Sequence, residues 1–280
     1  MRLSKVLAAA AAVAVGIGGL ALAGAAHADG VPQPWQMGFQ AAASPVMDRI
    51  EDFHNLLLII ITAISAFVLA LLVIVIVKFN ARSNPTPSRT THNTAIEIAW
   101  TVVPILVLLV IAVPSFKLLY YQDRAANPDM TLKVVGHQWY WSYQYPDNGN
   151  FQFDSIIVQD ADLKPDQPRL LSVDNSVVVP VGATVRLLIT ADDVIHSWAV
   201  PAFGVKYDAV PGRLNEAWFK AEREGMYYGQ CSQLCGQGHG YMPIAVKVVS
   251  QDEFKKWVED AQKQYGVSAL PTETHLAAVH

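Results

Sequence analysis

The chain has 280 residues, a net charge of −4, a mean hydropathy of +0.26 and only 16% charged residues. This composition is too apolar for a typical soluble protein of that length, so part of the chain must face lipid or be removed by processing. The mildly acidic balance argues against nucleic-acid binding, which needs a basic surface. Two cysteines are too few for a disulfide scaffold, and their local context must decide their role.

The first 28 residues have the pattern of an export signal. Arg2 and Lys5 precede an apolar stretch over residues 6–24, and Ala26-His27-Ala28 supplies the small-x-small pattern of a cleavage site. A first transmembrane helix is the alternative interpretation. If the signal is removed, residues 29–55 form the N-terminal segment of the mature chain.

Two uncharged runs follow, and each is long enough to cross a membrane. Residues 56–77 are 22 residues without a charge, and residues 98–116 are 19. A helix of 22 residues is about 33 Å long, and the hydrocarbon core is about 30 Å thick. A buried core helix is the alternative for either run, but two in succession would be unusual in a soluble fold. We predict transmembrane helices at 56–78 and 97–119.

The loop between these helices, residues 79–96, sets the orientation. Lys78, Arg82 and Arg89 are the only formally charged residues from the end of the first run to Glu97. The positive-inside rule therefore predicts a cytoplasmic loop and two exported chain ends, in agreement with an export signal. Everything beyond the second helix is then expected on the outer side of the membrane.

The exported part, residues 130–250, has the pattern of an all-β domain. Segments rich in Val, Ile, Tyr and Trp are separated by turn clusters such as Pro146-Asp147-Asn148-Gly149. Short strands at this spacing are typical of a sandwich or small barrel. The predicted strands are 130–135, 138–145, 169–173, 176–179, 184–190, 216–220, 225–230 and 242–249.

The end of the chain is predicted to be one helix and a tail. Phe254, Trp257 and Ala261 fall at helical spacing, which indicates an amphipathic helix over residues 251–264. Residues 265–280 have no periodicity and are expected to be loose.

Residues 231–242 concentrate groups that can bind a metal. Cys231, Cys235, His239 and Met242 bring two thiols, an imidazole and a thioether within twelve residues. Three intervening glycines allow such a loop to fold tightly. Soft sulfur combined with imidazole suits copper, and a bound cation favours the thiolate form that binds it.

Other interpretations of these residues remain open on the pattern alone. A disulfide is common in an oxidising compartment, but it leaves His239 and Met242 unexplained. Zinc accepts cysteine and histidine, but a thioether suits it poorly. A single blue copper uses one cysteine and two histidines, so here there is one thiol too many. A second histidine is available at His196, although an isolated histidine is more often structural.

Four separated motifs resemble subunit II of cytochrome c oxidase, over roughly residues 38–257. They are the cysteine segment 231–242, Asp-Val-Ile-His-Ser-Trp at 193–198, Gly-His-Gln-Trp-Tyr-Trp at 136–141 and Asp-Ala-Val-Pro-Gly-Arg at 208–213. The resemblance implies a membrane helical hairpin carrying a cupredoxin-like Greek-key sandwich or barrel.

The resemblance also implies a centre of two copper ions. Cys231 and Cys235 would bridge both ions. His196 and Met242 would complete the coordination of one ion, and His239 with the backbone carbonyl of Gln233 that of the other. The family usually has Glu at the position of Gln233, where the side chain helps to bind magnesium. Since magnesium prefers carboxylate and water oxygens, Gln233 puts that ion in doubt.

Electron transfer within the family implies roles for residues near the metal. Trp139 would be the point where cytochrome c delivers its electron. Alternation places Trp139 on the same core face as Trp141. The family role requires Trp139 at the surface instead, so a strand end or bulge is expected near it. Asp174 and Asp193 match acidic positions near the cytochrome c docking surface.

Glu97 stands just before the second apolar run. An acid at a helix N-terminus is favourable by itself, by about 0.3–1 kcal/mol. In the family, the acid in this context lies near the cytoplasmic entrance of a proton path into subunit I.

The resemblance implies electron transfer from cytochrome c through the copper pair to haem in subunit I, where oxygen is reduced to water and protons are pumped. Subunit III is a further expected partner, and the expected location is a bacterial inner membrane with the C-terminal domain in the periplasm.

Three alternative functions fit the sequence less well. A copper-free quinol oxidase subunit would not need the five metal-binding side chains. A membrane-tethered copper carrier would not need the aromatic segment 136–141. A thiol–disulfide oxidoreductase would use a C-x-x-C spacing instead.

Overall fold

The computed structural model describes residues 31–123, 125 and 127–266, so the predicted signal at 1–28 and nearly all of the tail lie outside the described residues. Two long helices come first, α1 at Pro45–Lys78 and α2 at Thr94–Asp123. Their apolar side chains point outward, and none of the residues in their most apolar windows is buried. A helix that is apolar all round and unburied needs lipid or a partner around it. The predicted hairpin of two membrane-spanning helices is confirmed.

Helix α1 begins well before the predicted transmembrane start at residue 56. Ser44 caps it, since its Oγ accepts a hydrogen bond from the N–H of Met47 at 3.1 Å, and Pro45 occupies the first turn. The same Oγ donates to the carbonyl of Phe203 in the β domain at 2.7 Å. Part of the segment predicted as a separate N-terminal stretch at 29–55 is therefore helical and packs against that domain.

Ten strands form the β domain within the described residues. They are β1 Met130–His137, β2 Tyr140–Tyr145, β3 Phe151–Ser155, β4 Val177–Pro180, β5 Thr184–Ala191, β6 His196–Val200, β7 Val205–Ala209, β8 Asn215–Lys220, β9 Gly225–Gln230 and β10 Pro243–Val249. Five make one sheet in the order β3-β2-β1-β5-β8, three make a second sheet in the order β4-β10-β9, and β6 pairs with β7. Strands β1 and β5 are parallel, as are β4 and β10, and the other pairs are antiparallel.

Several strands differ from the sequence prediction. The predicted strand at 169–173 is wrong: Leu170 has a left-handed φ of 64°, and only Val173 makes an isolated bridge, to Ile157. Strands β3, β6 and β7 were not predicted. All residues of β6 are buried, so it shows no alternation, whereas β3 does alternate between buried and exposed residues and was overlooked. The predicted strand 138–145 begins at Tyr140, because the two residues before it turn the chain between β1 and β2.

The core lies between the sheets and is rich in aromatic rings. Trp141, Tyr143 and Tyr145 of β2 are completely buried, as alternation predicts for that face. Helix α3, at Gln251–Tyr265, closes one side of this core and corresponds to the amphipathic helix predicted for 251–264. Its Trp257 packs against Tyr145 with ring centroids 5.2 Å apart. This rigid core supports the loops that hold the functional site.

Helix α2 is joined to the β domain through β8. The indole N–H of Trp218 donates to the backbone carbonyl of Tyr121 at 3.1 Å, and the two rings meet edge to face with centroids 5.3 Å apart. The domain therefore sits directly on the end of the hairpin at which α2 finishes.

Candidate metal centre

Strand pairing brings the two ends of the cysteine loop together. Cys231 is the first residue after β9 and Met242 is the last before β10, and these strands are paired up to Gln230 and Pro243. Strand β6 lies alongside, and the N–H of Ser232 donates to the carbonyl of its second residue, Ser197, at 3.0 Å. His196, the first residue of β6, is thereby placed next to the loop.

The donor atoms of all the predicted ligands converge. The two sulfurs of Cys231 and Cys235 are 4.0 Å apart. Cys231 Sγ lies 3.9 Å from the Nδ1 of His196 and 3.4 Å from the backbone oxygen of Gln233. Cys235 Sγ lies 3.5 Å from the Nδ1 of His239 and 3.5 Å from the Sδ of Met242. The structure thus brings together six potential ligands: His196, Cys231, Gln233, Cys235, His239 and Met242.

The distance between the sulfurs of Cys231 and Cys235 distinguishes a shared metal ion from a disulfide bond. A disulfide needs sulfurs about 2.05 Å apart, whereas Cys231 and Cys235 are free thiols 4.0 Å apart. Two sulfurs that bind one ion at about 2.3 Å are at most about 4.6 Å apart. His196, Cys231 and Cys235 have donor atoms that all lie within 4.8 Å of one another. This soft sulfur and imidazole set fits copper.

The two thiols ionise differently in the metal-free chain. Burial raises the pKa of Cys231, but its hydrogen bonds, chiefly the one with His196, outweigh burial and lower the pKa to about 7. The pKa of Cys235 is raised to about 12, by burial and by the negative charge of Cys231. One thiolate is therefore available near neutral pH, whereas the second requires a cation to displace its proton.

The orientation of His196 is imposed by its neighbours. Its Nε2 lies 2.9 Å from Asp193 Oδ1, so the carboxylate accepts the Nε2 proton and leaves the Nδ1 lone pair facing Cys231. The ring also packs directly on Gly136, where an added Cβ would come within 2.8 Å of it. The side chain of His196 is completely buried. Asp193, predicted as a docking acid, thus holds a predicted metal ligand in place.

Trp139 lies against the cysteine loop. It belongs to the turn between β1 and β2, as the expected strand end requires, and its indole N–H donates to the carbonyl of Cys235 at 3.3 Å. Close contact is possible because residue 238 is glycine; a Cβ there would lie 2.5 Å from the indole. Trp139 is half-buried, in contrast to Trp141 in the core.

Gln138 is a residue of the site that the sequence analysis did not identify. Its side-chain amide donates to the carbonyl of Cys235 at 2.8 Å, and its backbone N–H donates to Asp193 Oδ2 at 2.7 Å. It therefore connects the cysteine loop to the acid that orients His196. Its position directly before Trp139 in an aromatic motif was the available signal.

The remaining predicted residues lie outside this cluster. Asp174 accepts hydrogen bonds from the backbone N–H groups of Ile156 and Asn175, both at 2.7 Å. Glu97 accepts one from the N–H of Asn93 at 3.2 Å, at the start of α2. The other end of α2 meets the β domain, so Glu97 is about 40 Å of helix away from it.

A β sandwich on a membrane hairpin, with clustered thiols, imidazoles and a thioether, defines a membrane-anchored, cupredoxin-like protein suited to copper. The family models that match the chain are "Cytochrome C oxidase subunit II, periplasmic domain" over residues 130–249 and "Cytochrome C oxidase subunit II, transmembrane domain" over residues 32–118. The chain belongs to the cytochrome c oxidase subunit II family, and it is a subunit of a terminal oxidase.

Individual relatives cover most of the chain. It is 56% identical to a probable cytochrome c oxidase subunit 2 of Rickettsia bellii, over 88% of this chain and 91% of that one. It is 49% identical to cytochrome c oxidase subunit 2 of Phytophthora megasperma, over 81% of this chain and 88% of that one. It is 58% identical to the crystallised periplasmic domain of subunit II from Bradyrhizobium japonicum, over 51% of this chain and 99% of that one, with a TM-score of 0.48.

Proposed function

We propose that this chain accepts electrons from cytochrome c at a centre of two copper ions and passes them to haem in subunit I of the oxidase. Subunit I would reduce oxygen to water and pump protons. The observation that carries the proposal is the convergence of two thiols 4.0 Å apart with two imidazoles, a thioether and a carbonyl. A copper-free quinol oxidase subunit would have no use for this set.

As the family resemblance implies, Cys231 and Cys235 would be shared by the two ions, and each sulfur lies within about 4 Å of the other sulfur and of two further candidate ligand atoms. When bound, the copper pair supplies a carrier for single electrons. The residues of the chain keep the ligands in one arrangement through strand pairing and hydrogen bonds, so that little has to move when the charge changes. This rigidity is what fast electron transfer needs from the protein.

A magnesium ion at the border with subunit I would have to use Gln233. The side chain of Gln233 is exposed, and its amide offers a neutral oxygen where magnesium prefers a carboxylate. Its backbone oxygen, by contrast, needs no particular side chain to face Cys231. The proposal therefore includes the copper role of Gln233 and leaves magnesium as the weaker assignment.

Trp139 is the proposed point at which the electron enters. Its half-buried indole covers the ligand loop and donates a hydrogen bond to Cys235, a bridging ligand. A partner docked over the indole would be separated from the metal site by one side chain. Asp174 and Asp193 remain candidates for attracting a basic cytochrome c, which an acidic surface would steer towards this face.

The proposed setting is a bacterial inner membrane, with the β domain in the periplasm and subunits I and III as neighbours. The basic loop at 79–96 supports a cytoplasmic location for the inner helix ends. Glu97 would lie at that end, at the entrance of a proton path, in addition to its hydrogen bond with Asn93. The outward-facing apolar residues of both helices offer a surface to subunit I and to lipid.

Metal analysis of the purified full chain tests the proposal. After copper loading, we expect two copper ions per chain and an electron paramagnetic resonance spectrum of one unpaired electron shared by both. Cys235→Ser should abolish the shared signal, since it removes one bridge. A single localised Cu(II) in the unaltered chain, or a preference for zinc, would contradict the two-copper assignment.

A further inference from the structure

A cavity of about 380 Å³ lies between α1 and α2, away from the metal centre. Its floor is apolar and half-buried, and its rim is charged and exposed. Helix α1 contributes Arg49, Asp52, Phe53 and Leu56, and α2 contributes Pro114, Lys117 and Leu118.

The cavity lies where the apolar surface of the hairpin ends. Leu56 is the first residue of one uncharged run, and Lys117 follows the last residue of the other. The antiparallel helices bring these two residues to the same end of the hairpin. Pro114, which lies inside α2 and has no N–H for the helical hydrogen bond, lines the cavity at this level. An apolar floor below a charged rim matches the boundary between acyl chains and headgroups.

The rim carries more positive than negative charge. Arg49 and Lys117 have no carboxylate within ion-pair distance among the described residues, although Asp52 also lines the rim. The guanidinium carbon Cζ of Arg49 lies over the ring of Tyr121, 3.5 Å from its centroid. This cation–π contact holds the guanidinium beside the cavity, and the N–H groups of a guanidinium can bind two phosphate oxygens.

The geometry points to a binding site for an anionic phospholipid. Arg49 and Lys117 bind the headgroup phosphate, and Phe53, Leu56 and Leu118 contact the start of the acyl chains. The lipid site is separate from the proposed electron transfer. It rests on the proposed function only for the membrane orientation, which places the site in the outer leaflet. A lipid held there would fill the gap between the helices just below the β domain.

Lipid titration of the purified oxidase complex containing this chain tests the site. The complex is delipidated in detergent, and phosphatidylglycerol or phosphatidylcholine with identical acyl chains is added back and counted by native mass spectrometry. Each cation near a lipid surface contributes about fivefold in affinity, so the double variant R49Q/K117Q should bind phosphatidylglycerol about 25-fold more weakly. Phosphatidylcholine binding should change much less.

Two control variants separate charge from structure. Lys255→Gln with Lys263→Gln removes the same charge from exposed positions on α3, and phosphatidylglycerol binding should stay unchanged. Arg49→Lys keeps the charge but loses the guanidinium contact with Tyr121, and binding should fall less than for Arg49→Gln. An equal loss for both lipids, or no loss in R49Q/K117Q, overturns the site, as does a complex in which a partner subunit covers the cavity. Copper content, measured on the same samples, reports separately on the proposed function.

Discussion

Replacing Asp193 by Asn should weaken copper binding although Asp193 is not itself a proposed ligand. The carboxylate accepts three hydrogen bonds: from His196 and Val194 on Oδ1, at 2.9 and 2.6 Å, and from the N–H of Gln138 on Oδ2, at 2.7 Å. Asn has one accepting oxygen. If that oxygen faces His196, the new NH₂ meets the N–H of Gln138. If the amide turns over, the NH₂ faces His196 and the ring must carry its proton on Nδ1, where it cannot bind metal.

The size of the effect follows from the burial of His196. Leaving a buried N–H without an acceptor costs about 1–3 kcal/mol. Loss of the partner that orients a metal-binding histidine costs about 10–100-fold in metal affinity. Since Asn can still satisfy His196 in one of its two orientations, we expect about tenfold weaker copper binding for Asp193→Asn. Asp193→Ala removes every acceptor, and about 100-fold is expected.

Copper affinity is measured by competition with a chelator, and metal-free stability by denaturant unfolding of the same samples. Asp192→Asn is the matched control. It removes the same charge from the neighbouring residue, and the side chain of Asp192 is 68% exposed. Its copper affinity should equal that of the unaltered chain. If Asp193→Asn and Asp192→Asn bind copper equally well, Asp193 does not orient His196 for metal binding.

Three further predictions concern the loop, its thiols and the core. In Gly238→Ala the new Cβ would lie 2.5 Å from the indole of Trp139 and displace it. Reduction of the copper centre by cytochrome c, followed in stopped flow, should slow while the copper content is retained. Loss of copper would contradict this prediction. Copper uptake by the metal-free chain should release more protons at pH 6 than at pH 8, because the pKa of Cys231 is about 7 and the pKa of His196 is raised by its hydrogen bonds, and both groups must lose a proton to bind metal. A pH indicator in weak buffer measures this, and equal release at both pH values would exclude the lowered pKa. Trp257→Ala should destabilise the domain by about 3 kcal/mol in denaturant unfolding, since the indole packs against the aromatic core; an unchanged midpoint would mean that α3 is not needed for stability.

The helical part of the fold was predictable because its signal is local and long. Uncharged runs of 22 and 19 residues have few alternatives to a membrane helix. The position at which α1 begins was less predictable. The extension of α1 back to Pro45 depends on Ser44 contacting Phe203, which is 159 positions later in the chain. Strand β6 was missed because all of its residues are buried and it shows no alternation, whereas the alternation of β3 was overlooked.

The candidate metal-binding residues could be proposed from residue types, their spacing and the family resemblance, and the structure brings their donor atoms together. Their arrangement could not be predicted in this way. Asp193 was expected to attract a partner, and nothing in the sequence indicated that its carboxylate also orients His196. Gln138 went unnoticed because its two hydrogen bonds reach residues 55 and 97 positions away.

The sequence by itself determined a membrane hairpin, a β domain and a set of soft ligands, because each depends on the chemistry of neighbouring residues. Only the tertiary structure decided which nitrogen of His196 faces the thiols, how far apart Cys231 and Cys235 lie, and that Trp139 leaves the strand to cover their loop. These features depend on hydrogen bonds and close contacts between segments that are distant in the chain. Such contacts exist only after β6, β9 and β10 have been brought side by side.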